Sequence, residues 1–266
     1  MKSVEEQRKA REDEHASDEL RHKSGARHVA EHYNQRRELG VEGRMHTKIT
    51  GLRLFNNWVK SLLIRQYAFA GSRVLDLGCG KGGDLRKWSI AGIAEYVGMD
   101  IAQVSVQQAQ RRFADMHNAR FLARFFAQDC YAAKAKARQM MHNVAKRARS
   151  AGTRTFGNSV YQVEFARPLH DIKRFGTAYS FTLDEAVEDC TEYLVHLPTF
   201  VQLAREHQLE LELCCNFHEL FATHTHERSS MELFHRMRVL DAQRPQISPD
   251  EWEAVGIYLA VAFRKK

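Results

Sequence analysis

The sequence predicts an α/β fold organised around a nucleotide-binding strand–helix–strand unit, and three observations carry that reading. The apolar run Val74-Leu-Asp-Leu77 enters a glycine-rich turn, Gly78-Cys-Gly-Lys-Gly-Gly83. A helix opens after Asp84-Leu85. A second apolar run, Tyr96-Val-Gly-Met99, ends on Asp100. That order lets the backbone approach a ligand at the glycines and sets a carboxylate where it can accept hydrogen bonds from two ribose hydroxyls. The spacing Gly78-x-Gly80-x-x-Gly83 satisfies the dinucleotide pattern, so the glycines alone leave both NAD and S-adenosylmethionine open. The Gly-Lys-Ser/Thr ending of a P-loop is absent.

Along the chain, residues 1–28 are almost free of large apolar side chains and carry mixed charge. They cannot bury a face and read as a charged, flexible tail. His32-Tyr-Asn34 opens the ordered part, a single domain over 29–266. Leu54 to Ile64 is an amphipathic helix, with Leu54, Trp58 and Leu62 on one face and Phe55, Val59 and Leu63 flanking it. Asn56 and Asn57 inside it are poor helix formers and suit either a polar role or plain surface solvation. Arg73–Leu77 and Tyr96–Met99 are strands, Val104–His117 is a helix, and Arg120–Ala127 is a third strand followed by Asp129. Asp129 stands where this fold reads an adenine amino group, although a turn aspartate is equally at home there.

Ala133–Arg149 is a strongly basic helix with Met140, Met141 and Val144 on its inner face. Val160–Phe165 and Ala178–Phe181 alternate as strands do. A helix over Thr199–His207 runs into a strand at Leu209–Cys215. Glu251–Ala254 starts a turn, and Ile257–Phe263 is a final strand, antiparallel and stopped by Arg264-Lys-Lys266.

Composition narrows the function classes. The chain has 266 residues, with 40 Lys+Arg against 33 Asp+Glu, a formal net charge of +7 that suits either anionic partners such as RNA or nucleotide phosphates or simply a mildly basic soluble enzyme. The five cysteines, Cys79, Cys130, Cys190, Cys214 and Cys215, lack metal-site spacing and read as reduced thiols. No apolar run approaches the roughly 18 residues of a membrane span, and the charged start of the chain is unlike a signal peptide.

Several pieces together resemble eukaryotic mRNA cap (guanine-N7) methyltransferases. They are His32-Tyr-Asn34, Phe55-Asn-Asn-Trp-Val-Lys60, Leu75-Asp-Leu-Gly-Cys-Gly-Lys-Gly-Gly-Asp84 with Lys87-Trp88, and Asp100-Ile-Ala102. Further on come Phe156-Gly-Asn158 with Tyr161, Glu192-Tyr-Leu-Val-His196 with Pro198, and Glu251-Trp-Glu-Ala254 with Ile257-Tyr-Leu259. The resemblance implies a Rossmann-like class I methyltransferase sheet with helices on both faces. It implies S-adenosyl-L-methionine as cofactor, 5′-capped RNA as substrate, and a place in the nucleus beside other capping enzymes or the RNA polymerase II machinery. It also implies a monomer, no membrane association and no metal.

Roles follow by resemblance. Lys60 would hold the methionine carboxylate, Gly78 would pack against the cofactor, Asp100 would bind its ribose and Asp129 its adenine. Asn56 and Asn57 would contact the cap. Lys81, Lys87 and Arg112 would face its phosphates or organise that side of the pocket. Glu192 would accept hydrogen bonds from the guanine edge, and Tyr258 would line the same pocket. No general base is expected, because guanine N7 carries its lone pair at neutral pH. Catalysis is then positioning and field, and most of the 14 histidines are surface or core residues.

The chain departs from the family in two places. After Asp129-Cys-Tyr131 the family continues with a strand and an aromatic loop, whereas here the helix at Ala133 follows at once. After Arg149-Ser-Ala-Gly152, Thr153-Arg-Thr155 leads directly into Phe156, leaving no room for another apolar strand. The central strands of the sheet are thus incomplete. Strand Arg73–Leu77 loses its neighbour and must pair elsewhere, with Val160–Phe165 or the last strand, or leave its edge unsatisfied. The expected activity is therefore low. The competing expectation is a non-catalytic cap- or RNA-binding relative that keeps partial cofactor binding.

Overall fold

A computed structural model describes residues 47–117, 119–128, 154–166, 177–239 and 247–266. The tail, His32-Tyr-Asn34, Asp129 and the basic helix expected over Ala133–Arg149 lie outside these. The backbone divides into two compact units. One contains the described residues between 69 and 128, the other residues 47–68 and those from 154 onward.

The first unit is a parallel three-stranded sheet, β1 (Arg73–Leu77), β2 (Glu95–Asp100) and β3 (Leu122–Ala127), in the order β1-β2-β3. Helix α2 (Leu85–Ala91) follows β1, and α3 (Gln103–Ala114) follows β2 and packs on β2 and β3. The period of two in each strand decides what α3 covers. Tyr96 and Phe125 point toward it and meet Phe113 and Phe121 in one aromatic cluster. Gly98 keeps that face tight, since a Cβ there would lie 2.8 Å from the Tyr96 ring. The opposite face carries Leu75 (59% exposed), Leu77, Leu122 (72%) and Phe126. Neither expected new partner has joined β1: among the described residues it pairs with β2 alone. Val160–Phe165 and the last strand are both committed to antiparallel neighbours of their own.

The second unit holds the large core. Helix α1 (Thr50–Tyr67) buries Gly51, Leu52, Phe55, Trp58, Val59 and Leu62. The buried stripe therefore runs through Phe55, with Leu54 and Leu63 only partly covered, a turn of one residue from the face read in the sequence. Phe55 and Trp58 pack edge-on or tilted against Phe221, Phe234 and each other. The Trp58 indole N–H donates to the Ser230 carbonyl at 3.2 Å. Side chains of this size each stabilise the fold by about 1.5–3 kcal/mol when fully buried.

A four-stranded antiparallel sheet closes over this core, β4 (Thr155–Gly157), β5 (Tyr161–Phe165), β6 (Ala178–Leu183) and β7 (Val187–Tyr193) in that order. Tyr161, Val163, Phe165, Tyr179, Phe181 and Leu183 point inward from β5 and β6. Then come α4 (Leu197–Glu206), β8 (Leu209–Asn216), α5 (Phe217–His224), α6 (Arg228–Arg236), α7 (Pro249–Val255) and β9 (Leu259–Lys265). β8 and β9 form a two-stranded antiparallel sheet, as expected for the last strand. β9 starts two residues later than the sequence reading, and Glu251–Ala254 lies inside a helix rather than a turn. Ser248 and Glu251 make a reciprocal capping box that starts α7.

Candidate functional site

In the first unit the glycine turn and Asp100 form one local structure. Gly78 adopts φ +77°, a conformation that favours glycine, and a Cβ there would meet nothing within 4 Å. The amides of Gly78 and Cys79 both donate to the Met99 carbonyl, at 2.8 and 3.0 Å, so the turn is tied to the C-terminal end of β2. Asp100 Oδ2 accepts from the Gly80 amide at 2.8 Å and Oδ1 from the Ala102 amide at 2.9 Å. One carboxylate thus pins the glycine turn and the entry to α3 together. Each oxygen has a second lone pair left for an incoming hydroxyl. The open space beside Gly78, Gly80 and Gly83, next to a fixed carboxylate, fits the ribose end of a nucleotide cofactor.

Below the turn, Asp76 accepts from the Tyr96 hydroxyl at 2.9 Å. Burial, then the charge of Asp76, holds the Tyr96 phenol above its ordinary range. Burial also pushes the Cys79 thiol up to about 12, helped by the charges of Asp76 and Asp100. Cys79 is therefore an inert packing residue inside the turn, and the acid in the first strand has a structural partner.

The cations of this unit divide. Lys87 is ion-paired with Asp84 at 2.6 Å, with both side chains largely covered, so it braces the start of α2. Lys81 is half-buried in the turn and Arg112 stands in the last turn of α3.

The remaining site residues belong to the second unit. Asn56, Asn57 and Lys60 share α1. The side-chain carbonyl of Asn56 is buried and, among the described residues, has no hydrogen-bond partner, which is costly unless a ligand donor meets it. Ser61 bonds the backbone carbonyl of Asn57 at 2.9 Å. Lys60 is exposed. Glu192 lies near the end of β7, and burial raises its carboxyl above the usual range while a hydrogen bond from Tyr179 opposes that rise. Tyr258 stacks on Phe217, with ring centroids 5.5 Å apart.

Two motifs of the resemblance prove to be structural. Asn158 Oδ1 accepts from the Val160 and Tyr161 amides, and its Nδ2 donates to the Asp250 carbonyl and to Glu253. Tyr161 also reaches Glu253, at 3.2 Å. Gly157 is required by space, because a Cβ there would lie 2.1 Å from the Tyr161 carbonyl oxygen. Phe156-Gly-Asn158 and Glu251-Trp-Glu253 thus fasten the β4–β5 turn to α7. The sequence reading missed Tyr179 as the partner of Glu192. Only the alternation of Ala178–Phe181, which puts Tyr179 on the inner face, gave any signal.

A parallel sheet, a glycine turn and an acid at the end of the second strand define an α/β protein of the nucleotide-cofactor class. The profile of the mRNA (guanine-N(7))-methyltransferase domain matches residues 16–142 and 137–266, and this chain belongs to that family. It is 38% identical to the mRNA cap guanine-N(7) methyltransferase of Cryptococcus neoformans var. neoformans (strain B-3501A), over 89% of this chain and 41% of that protein. It is 35% identical to mRNA cap guanine-N(7) methyltransferase 1 of Oryza sativa, over 92% of this chain and 82% of the relative. The Schizosaccharomyces pombe mRNA cap guanine-N(7) methyltransferase is 34% identical, over 90% and 82%. The chain thus spans less than half of the Cryptococcus protein it matches.

The alignment with the rice relative runs over 305 positions, more than the 266 residues of this chain. The relative therefore carries residues inside the matched span that this chain lacks. Among solved structures, an S-adenosylmethionine-dependent methyltransferase from Thiobacillus denitrificans in complex with S-adenosyl-L-homocysteine is 14% identical. It covers 78% of this chain and 88% of its own, with a TM-score of 0.31.

Proposed function

We propose that this chain binds S-adenosylmethionine and the 5′ guanosine cap of RNA, and that it descends from enzymes that methylate guanine N7. The observation that carries the reading is the family match over both halves of the chain, which includes the pinned glycine turn and Glu192. S-adenosylmethionine would supply an electrophilic methyl on a sulfonium. Asp100 would accept from the ribose hydroxyls, and Lys60 would meet the methionine carboxylate. Asp129, outside the described residues, would read the adenine. Asn56 and Asn57 would contact the cap, and Lys81 and Arg112 would face its phosphates. Lys87 would act on that side by bracing Asp84.

Glu192 would accept from the guanine edge and leave N7 free, with Tyr258 lining the pocket. Methyl transfer moves positive charge from sulfur to the purine ring, so no side chain has to take a proton. What the protein supplies is alignment, and positioning alone lowers such barriers by roughly 7–11 kcal/mol. The proposed setting is the nucleus, with capped RNA bound by a chain of net charge +7. Calorimetry with S-adenosylhomocysteine, and separately with the capped dinucleotide GpppG, tests both halves. Saturable binding of each supports the reading; a folded chain that binds neither overturns it.

A further inference from the structure

Tyr179 and Glu192 are direct partners in the β6–β7 register. Both lie on the face of the sheet that also carries Phe181 and Cys190 inward. The Tyr179 ring is 1% exposed and tilted against Phe165 at 5.8 Å, so the core fixes its direction. Its hydroxyl donates a hydrogen bond to Oε2 of Glu192. Among the described residues this is the hydrogen bond made to the Glu192 carboxylate, which keeps acceptor capacity on both oxygens.

We propose that Tyr179 is a positioning residue that sets guanine specificity: its hydroxyl holds Glu192 as an oriented, acceptor-only carboxylate facing the base. The inference rests on the reading that Glu192 binds the guanine edge. Guanine offers two adjacent donors, N1–H and the 2-amino group, and an ionised carboxylate matches both. Adenine offers an acceptor at N1, which the carboxylate repels. A protonated Glu192 would lose this discrimination, because its O–H could donate to adenine N1. Burial pushes Glu192 toward the protonated form, and the Tyr179 bond opposes that push. Among the described residues, the titratable groups tied to it are Tyr179 on β6 and Cys190 on its own strand. The Glu192 charge helps hold the Cys190 thiol up at about 11, behind burial and together with Asp189.

The test is binding of GpppG and ApppA to the full chain between pH 5 and 8. It compares wild type, Tyr179→Phe and Glu192→Gln. Tyr179→Phe removes one hydroxyl and keeps the ring, so packing is preserved. Its GpppG affinity should fall on the order of tenfold at neutral pH, the scale of one hydrogen bond to a charged group. Its preference over ApppA should narrow. The pH below which GpppG binding weakens should also move upward, because the carboxylate has lost the bond that favours ionisation. A lost packing contact would not shift that profile.

If Glu192→Gln binds GpppG like wild type, the reading of Glu192 itself is wrong. If Glu192→Gln loses binding while Tyr179→Phe keeps wild-type affinity, selectivity and pH profile, the role of Tyr179 is wrong. The wild type gives an independent check should the Phe variant not fold. GpppG affinity that does not change from pH 5 to 8 overturns the inference, and a fall on the acid side supports it.

Discussion

At the scale of single residues, two carboxylates do opposite things to the fold. Both oxygens of Asp100 are bonded to backbone amides, so Asp100 builds the turn that it is also proposed to use for the ribose. Asp100→Ala should abolish S-adenosylhomocysteine binding, and Asp100→Asn should weaken it at least tenfold, because an amide oxygen can replace only part of the acceptor capacity. Calorimetry showing equal affinity for wild type and Asp100→Ala would remove Asp100 from the site. Glu192 instead strains the fold. Its folded carboxyl titrates above the usual range, so as pH rises the unfolded chain ionises first and gains relative stability. The fold keeps its full stability from this group below the ordinary carboxylate range and loses it as pH rises through the raised value. Glu192→Gln should therefore be more stable than wild type at pH 7, by about 1 kcal/mol, while losing cap affinity. The advantage should vanish in acid. Urea unfolding at pH 7 and pH 4 measures it, and a less stable Gln variant at pH 7 would show that burial does not dominate at this position.

Among elements, the joint between α1 and α7 rests on one side chain. Glu251 is 4% exposed; one oxygen accepts from the Ser248 amide at 2.8 Å and the other from the Leu52 amide at 3.0 Å. Two helix starts thus share one negative charge, which satisfies donors that neither helix can satisfy alone. Gly51 allows the approach, since a Cβ there would lie 2.9 Å from the Ile247 backbone. Glu251→Ala should cost about 2–3 kcal/mol, read as a lower urea midpoint with an unchanged m-value. A loss below about 0.5 kcal/mol would mean that solvent replaces both bonds. How much of this was legible in the sequence varies by element. β1 matches its expected bounds because apolar alternation and the glycine turn both mark them. β5 and β6 were legible from period-two patterning. β7 was not: Val187–Tyr193 carries three acids, and its place is set by pairing with β6 and by turn geometry, including Glu185 at φ +56°. The α7 helix was read as a turn because seven residues are too few for a periodic signal, although Ser248 and Glu251 spell a capping box. The candidate site residues were picked out as motifs, but the pairing of Glu192 with Tyr179 and of Asp100 with the Gly80 amide is set by register and turn geometry that the motifs do not spell.

For the whole molecule the decisive feature is the edge of β1. In a doubly wound sheet of order 3-2-1-4-5 the first strand is paired on both flanks, and open edges invite association with other chains. Here the neighbour on one flank is missing among the described residues, and Leu75, Leu77, Leu122 and Phe126 are exposed on one face. The rice relative carries extra residues inside the matched span, and the resemblance to the family implies that two segments are missing between β3 and β4. By the same resemblance, those segments are the ones expected to wall the cofactor and guanine. Misplacing an aligned acceptor by about 1 Å costs on the order of 100-fold in rate, so this chain should methylate GpppG-capped RNA far more slowly than roughly 1 per second. Cofactor binding should suffer less, because the glycine turn and Asp100 stand without those strands. Grafting the two segments from the rice relative should raise the thermal midpoint and the methylation rate together, since one set of strands satisfies the β1 edge and rebuilds the wall. A graft that raises stability without activity would separate the two roles and locate the defect in the site. A chain that is already fast as it stands would show that the wall does not depend on those segments.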